Sequence, residues 1–227
     1  MHFEFLVEGQ CELTALSILM PKILGPYKAP HTWMIHKHRG IGKFPEDPAK
    51  KPSPQDGSLL HNLSSKLRAY GKENRDDLVV VVLVDLDDRS DCRVFKQELI
   101  HQLDDCVKKP NTLFRIAIEE LEAWYLGDRK AIEQAYPNAR LEVLDGYTQD
   151  CICGTWELFA KVVNDKDVQA LLAVNKRSPR LLESKKKWAK NVPSCMDIEQ
   201  NLSPSFVVFR DGVRKLAGWL GNVGSEP

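Results

Sequence analysis

No apolar stretch in the 227-residue sequence approaches the roughly 20 consecutive residues that a membrane-spanning helix requires, so no membrane is expected among its partners. Net charge is also missing. Lys and Arg total 32 against 32 Asp and Glu, so overall electrostatics does not announce a nucleic-acid binder. No pair of C-x-x-C motifs occurs, and Cys11, Cys92, Cys106, Cys151, Cys153 and Cys195 are scattered enough to be read as free thiols. The C-x-C at Cys151 and Cys153 has no second pair with which to close a zinc site. The RGIGKF segment fails the G-x-x-x-x-G-K-[ST] phosphate-loop pattern, because Lys37 stands at the first glycine position and Phe44 at the hydroxyl position. An intrinsic ATP-binding loop is therefore excluded. The opening MHFEFLVEG has no basic segment followed by a long apolar one, which makes a cytoplasmic location the expectation. Internal repeats and low-complexity tracts are absent too.

What is present is ordinary globular composition, 43% hydrophobic and 28% charged, with one unusual stretch at residues 78 to 88, LVVVVLVDLDD. Leu78 to Val84 lack polar alternation, as expected of a parallel strand buried on both faces. Asp85, Asp87 and Asp88 follow where that strand should end, and ligands of open α/β sheets collect outside the carboxyl ends of strands. On an extended backbone Asp85 and Asp87 would point to one side, with Asp88 turned away. Paired carboxylates repel unless a cation intervenes, and oxygen-only donors suit Mg²⁺ or Mn²⁺. An acidic surface turn would give the same pattern.

Earlier in the chain, His2 to Val7 reads as a first strand, ending at Glu8. Glu12 then opens an amphipathic helix running to Gly25. Glu8 is a second candidate carboxylate at a strand end, although a favourable place against the helix dipole also explains it. Thr32 to His36 is a short second strand, and His31, His36 and His38 form an H-x4-H-x-H pattern open to a transition metal. Residues 39 to 57 read as a long loop, 58 to 70 as a helix, 94 to 107 as a helix, and 113 to 118 as a further strand that delivers Glu119, Glu120 and Glu122. Glu120 and Glu122 are metal or water-positioning candidates, with the dipole again the structural alternative. Helices are expected over 130 to 136, 156 to 174 and 206 to 220, the last introduced by Ser203 and Pro204. The strand and helix alternation implies an α/β fold: a mostly parallel sheet of about four strands flanked by helices, with a helical C-terminal extension. Residues 1–128 would form the metal-binding domain, and 129–227 the extension packed on it.

The basic residues cluster late. Lys176, Arg177, Arg180, Lys185, Lys186, Lys187 and Lys190 face Glu183 alone, a segment at 176–190 able to grip phosphates or to form a solvated helix face. Trp188 within it can stack a base or fill a core.

The order strand, Glu8, helix, strand, helix, strand, Asp85-x-Asp87, helix, strand resembles the Toprim domain of topoisomerases, primases and nucleases of the overcoming-lysogenization-defect class. VEGQCE at Val7 to Glu12 is similar to that family's V-E-G-x-x-E motif, and LVDLDD to its second motif. IAIEELEAWYLGD and NLSPSFVVFRDGVRKL look like a Toprim-like family of small prokaryotic proteins often encoded beside a defence ATPase. The resemblance implies Glu8 as a metal ligand or general acid/base, Asp85 and Asp87 as Mg²⁺ or Mn²⁺ ligands, and Glu12, Glu120 and Glu122 as candidates for a second ion. The implied activity is metal-dependent endonuclease cleavage of DNA or RNA, two ions about 4 Å apart neutralising charge and activating water. The catalytic set would be Glu8, Asp85, Asp87 and Glu122, with Lys185, Lys187 or Lys215 as candidate transition-state cations. Phage defence or abortive infection with a separately encoded ATPase, and a homo-oligomer, are further implied possibilities. A second reading makes the chain a weakly catalytic or non-catalytic module that binds and is controlled by that ATPase. A third, in which Asp85 is the nucleophile of a haloacid-dehalogenase-type phosphatase, leaves Glu8 without a role, and Arg89-Ser90 stand where a small turn is usual.

Overall fold

The structure, a computed structural model, describes residues 1–87, 89–152, 154–165, 168 and 178–218. Strands β1 (His2–Val7), β2 (Thr32–Lys37), β3 (Leu78–Asp85) and β4 (Thr112–Ala117) form one all-parallel sheet in the order β2-β1-β3-β4. Phe5 lies between Ile35 and Val81, and Val82 pairs with Phe114. The α/β architecture expected from the alternation is therefore present.

Strand β3 is central, and its apolar run is explained by burial on both faces. Val79, Val81 and Leu83 join Phe3, Phe5 and Val7 against α1 (Gln10–Leu24), while Val80, Val82 and Val84 join Leu6 against α2 (Leu59–Glu73) and α3 (Cys92–His101). Each such side chain stabilises by about 1.5–3 kcal/mol relative to exposure. Helix α3 stops earlier than the periodicity predicts. Asp104 and Asp105 fall where its last turn would lie, and acids there oppose the helix dipole.

Beyond β4 come α4 (Glu122–Leu126), α5 (Arg129–Ala135), a 3-10 turn at Leu141–Leu144, α6 (Thr155–Val162), α7 (Pro179–Cys195) and α8 (Pro204–Leu216). The helix expected over 156 to 174 ends at Val162, with Asn164 at φ +55, and residues 166, 167 and 169–177 lie outside the described residues; the one expected to reach 220 ends at Leu216, with Gly218 at φ +77. Ser203 caps α8 as its sequence suggests, accepting the Phe206 N–H at 3.3 Å. Helix α7 packs on α1 and α5, and α8 packs on β4. Trp124 sits against Phe206 and Phe209, with ring centroids 5.3 and 4.9 Å away, and Phe209 in turn reaches Phe5 of β1. The C-terminal helices thus share the apolar cluster of the sheet's α1 face. Trp188 belongs there too, 1% exposed and edge-on to Phe159 at 5.1 Å, so of its two readings it fills the core. Lys22 of α1 donates to the carbonyls of Pro193, Ser194 and Met196 at 2.9, 2.8 and 2.9 Å, satisfying the exposed end of α7. Among the described residues no helix is long and apolar enough to cross a membrane.

Candidate metal centre

The strand order makes β1, β3 and β4 neighbours, so the acids that follow them lie at one edge of the sheet. Glu8 leaves β1 and turns its carboxylate to the next strand, where Oε1 accepts the Asp85 N–H at 2.8 Å. Asp85 ends β3, and its Oδ1 is buried with no hydrogen-bond partner among the described residues. Glu12, 8% exposed, folds back from the first turn of α1 over Gly9. A Cβ at Gly9 would stand 3.3 Å from the Glu12 carboxylate, so a larger residue there would crowd it. The third contribution comes after β4, where Glu122 is 3% exposed at the start of α4 and Glu120 lies in the preceding turn.

Asp87 does not follow the extended geometry assumed from its spacing. The strand ends at Asp85, and Asp87 adopts φ +50, so the two-residue alternation is broken. Its carboxylate is half-exposed, 3.7 Å from Arg89, and acts on Glu8 and Glu120 from the solvent side. Asp88 lies outside the described residues. Backbone bonds from Leu86 to Ala117 and from Asp87 to Glu119 carry the β3 and β4 connections outward together, holding the acidic turns in register.

Of the three candidate cations Lys185, Lys187 and Lys215, Lys185 is the one that reaches the acids. It projects inward from α7, its Nζ 3.0 Å from Glu120 and 3.5 Å from Glu122, and 5.9 Å from the Trp156 ring centre. Burial alone would discharge the ammonium, but Glu122 and Glu120 outweigh it and hold Lys185 charged, its pKa above the ordinary lysine range. Arg180, Lys187 and Lys190 remain on the exposed side of α7, and Lys186 pairs with Glu183 at 2.7 Å. Lys176 and Arg177 lie outside the described residues. Lys215 is exposed on α8.

One ammonium does not balance this many acids. Burial, reinforced by Glu12 and Asp87 and opposed by the Asp85 N–H, pushes Glu8 from 4.5 up to about 8. Burial and Glu122 push Glu120 to about 8 against the pull of Lys185. Glu12 is raised by burial and by Glu122, and Asp85 well above its usual range by burial, Glu8 and Glu12. At neutral pH the cluster therefore retains protons, the places a cation would take. The Tyr125 hydroxyl, on a side chain 1% exposed, has no partner among the described residues, and it feels Glu122, Cys11, Glu12 and Asp85. Cys11 faces the same acids, and burial drives its thiol to about 12, so it is no nucleophile near neutrality.

The donors fit Mg²⁺ or Mn²⁺ in type, being carboxylate oxygens with an orphaned Asp85 Oδ1 among them. Their present arrangement is looser. Among the described residues no group of three or more His, Cys, Asp or Glu side chains is set to hold one ion, and Glu120 and Glu122 are engaged by Lys185. The histidines do not converge either: His31 meets the N-terminal amine, His36 pairs with Glu4, and His38 Nδ1 bonds the Val7 carbonyl at 2.8 Å. Cys151 is a free thiol, and Cys153 lies outside the described residues.

A cavity of about 750 Å³ opens beside the acids, lined by Asp87, Glu120 and Lys185 together with Trp156 and Leu181. Glu119, at φ +63, shapes it by accepting the N–H groups of Gly154 and Thr155 at 2.7 and 3.0 Å, which fixes the start of α6. The loop from residue 39 reaches the same end of the sheet, where the Gly40 N–H donates to the Glu8 carbonyl at 3.0 Å.

The sequence profile of the Domain of unknown function (DUF4276) matches residues 7–150, more than half the chain. The chain belongs to this family. The region of the DUF4276 match contains every strand-end acid described above together with Tyr125, and it stops before α7, which supplies Lys185. No curated protein and no solved structure matches the chain.

Proposed function

We propose that this DUF4276 protein is a Mg²⁺- or Mn²⁺-dependent phosphodiesterase, a nuclease subunit acting on DNA or RNA. The observation that carries the reading is the meeting of Glu8, Glu12, Asp85 and Glu122 at three adjacent strand ends, with Asp85 Oδ1 and the Tyr125 hydroxyl both buried and unpartnered among the described residues. Glu8, Glu12, Asp85 and Asp87 would hold the ion, which when bound supplies charge neutralisation and an acidified water. Glu8, raised to about 8 in the metal-free protein, would give up its proton as the ion binds. Lys185 presents a fixed positive charge beside the cavity, suited to a phosphate oxygen. Arg180, Lys187 and Lys190 offer phosphate contacts farther along α7. The Toprim-like motif order adds a cytoplasmic setting, with a separately encoded ATPase as partner in phage defence.

A second reading, a module controlled by that ATPase with little chemistry of its own, is favoured by the lack of a ready-made ion cage among the described residues. One experiment separates them: incubation of plasmid DNA and of tRNA with the purified protein and Mg²⁺ or Mn²⁺, beside Asp85→Asn and Glu8→Gln. Metal-dependent cleavage lost in both variants is the expected result. Inactivity on both substrates, with no Mn²⁺ retained by the wild type, sinks the nuclease reading.

A further inference from the structure

The side of β4 away from β3 is the sheet's edge. The carbonyls of Asn111 and Ala117 face β3, bonding Val80 and Leu86, so by the two-residue alternation of a strand the backbone groups of Thr112, Phe114 and Ile116 face outward. Helices α3 and α8 flank this edge and leave between them a groove of about 400 Å³, floored by Phe114, Ile116 and Val208. Val208 is 53% exposed at one side of the floor, Phe114 lies buried at its base, and Asp150, which accepts from Ser203 and Ser205, also lines the groove. Arg115 crosses the edge, Nη1 on the Phe114 carbonyl at 2.9 Å and Nε on the Val208 carbonyl at 3.1 Å. Gly212 makes room for it, since a Cβ there would collide with the guanidinium. Arg93 and Lys96 of α3 are exposed on the rim.

We propose that this groove is a docking site for an extended segment of another protein, one in which acidic and aliphatic side chains alternate and which adds to β4 as a fifth strand. Main-chain bonds to the outward groups of Ile116 would supply affinity, and alternate side chains would supply specificity. Aliphatic side chains of the segment lie over Phe114 and Ile116. Acidic ones meet Arg115 on the α8 side, while Arg93 and Lys96 bring positive charge to the α3 rim of the groove. The same charges exclude a second copy of this chain as the natural occupant. An antiparallel pairing of β4 with β4 centred on Arg115 would set it against its own equivalent and bring the two positive rims together, and like charges opposite one another destabilise. The site stands apart from the acidic edge and does not depend on the nuclease reading.

The test uses the full chain and a fluorescein-labelled peptide of about nine residues alternating Glu and Val, with a Lys and Val peptide as control. The Glu peptide should bind at least roughly tenfold tighter, and hydrogen exchange at the Phe114 and Ile116 amides should slow when it does. Ile116→Pro deletes an outward N–H and leaves the bonds to β3, as edge prolines do, so binding should fall by about tenfold or more with far-UV circular dichroism retained. Should that variant fail to fold, Arg93→Glu with Lys96→Glu changes the rim alone and should reverse the preference between the peptides. Equal affinity for both peptides, absence of binding, or exchange protection that grows with protein concentration without peptide would each overturn the proposal, the last by showing a second copy in the groove.

Discussion

Replacing Glu8 with Gln should make the metal-free protein more stable, which is the reverse of what loss of a buried hydrogen-bonded residue usually does. The Gln carbonyl can still accept the Asp85 N–H that Oε1 now takes at 2.8 Å, while the charge that burial, Glu12 and Asp87 oppose is gone. Glu8 is raised from 4.5 to about 8, so the folded state binds a proton that the unfolded state releases between those values. Its contribution to stability is therefore complete below 4.5, declines as pH rises, and is lost by about 8. At about 1.4 kcal/mol per pH unit, holding that proton at pH 7 costs about 3 kcal/mol, against less than about 1 kcal/mol at pH 5. The amide still has to be desolvated, so a gain of about 1–3 kcal/mol at pH 7 is expected. For a chain of this size that amounts to roughly 2–10 °C in midpoint. Thermal unfolding in EDTA at pH 5, 6, 7 and 8, wild type beside Glu8→Gln, measures it. The advantage of the variant should grow with pH, and saturating Mg²⁺ should raise the wild-type midpoint more than that of the variant. A variant less stable than wild type at pH 7, or an advantage that does not change with pH, would refute the electrostatic account of the cluster.

Tyr125→Phe removes one unpartnered hydroxyl from a buried ring, so the metal-free protein should unfold at the same urea concentration or a higher one, while Mn²⁺ affinity by calorimetric titration falls about tenfold. Lys185→Met leaves Glu120 and Glu122 without their cation. A loss of about 2–4 kcal/mol at pH 7 is expected in urea unfolding, growing as pH rises through about 8, where Glu120 gives up its proton in the wild type. Trp188→Ala should cost about 3–5 kcal/mol through the cavity left beside Phe159, whereas a solvent-exposed base-stacking residue would leave the midpoint unchanged.

The sheet could be read from the sequence because its signal is local. Leu78 to Val84 contain no polar residue and five valines, a β-branched run that suits a strand covered on both faces. The clustering of Glu8, Asp85 and Glu122 was legible for a related reason, since parallel strands deliver their following residues to one end. Asp87 was misplaced because alternation presupposes an extended chain, and its left-handed φ cannot be seen in an Asp-Leu-Asp triplet. Lys185 was one of three candidate cations, but what singles it out was obscured by its distance of 65 residues from Glu120 and by a run of lysines that looks solvated. A signal did exist. Leu181, Ser184, Trp188 and Val192 recur at helical spacing and are buried, and Lys185 lies four residues after Leu181 and three before Trp188, on that same face. The unpartnered Tyr125 hydroxyl had no counterpart in the sequence, because an unmet hydrogen bond is a property of the packed interior.

The three bonds from Lys22 to the end of α7 set an order of events during synthesis. The donor precedes the last of its acceptors by 174 residues, an interval of roughly 10–30 s at ordinary translation rates of about 5–20 residues per second. For that time the face of α1 that α7 will cover stays bare, while the strands of the sheet emerge one after another. Lys185 arrives on the same late helix, so the acids assemble before their counter-charge does. A nascent chain in this window carries an uncovered apolar face and an uncompensated acidic pocket, and both are closed by one helix.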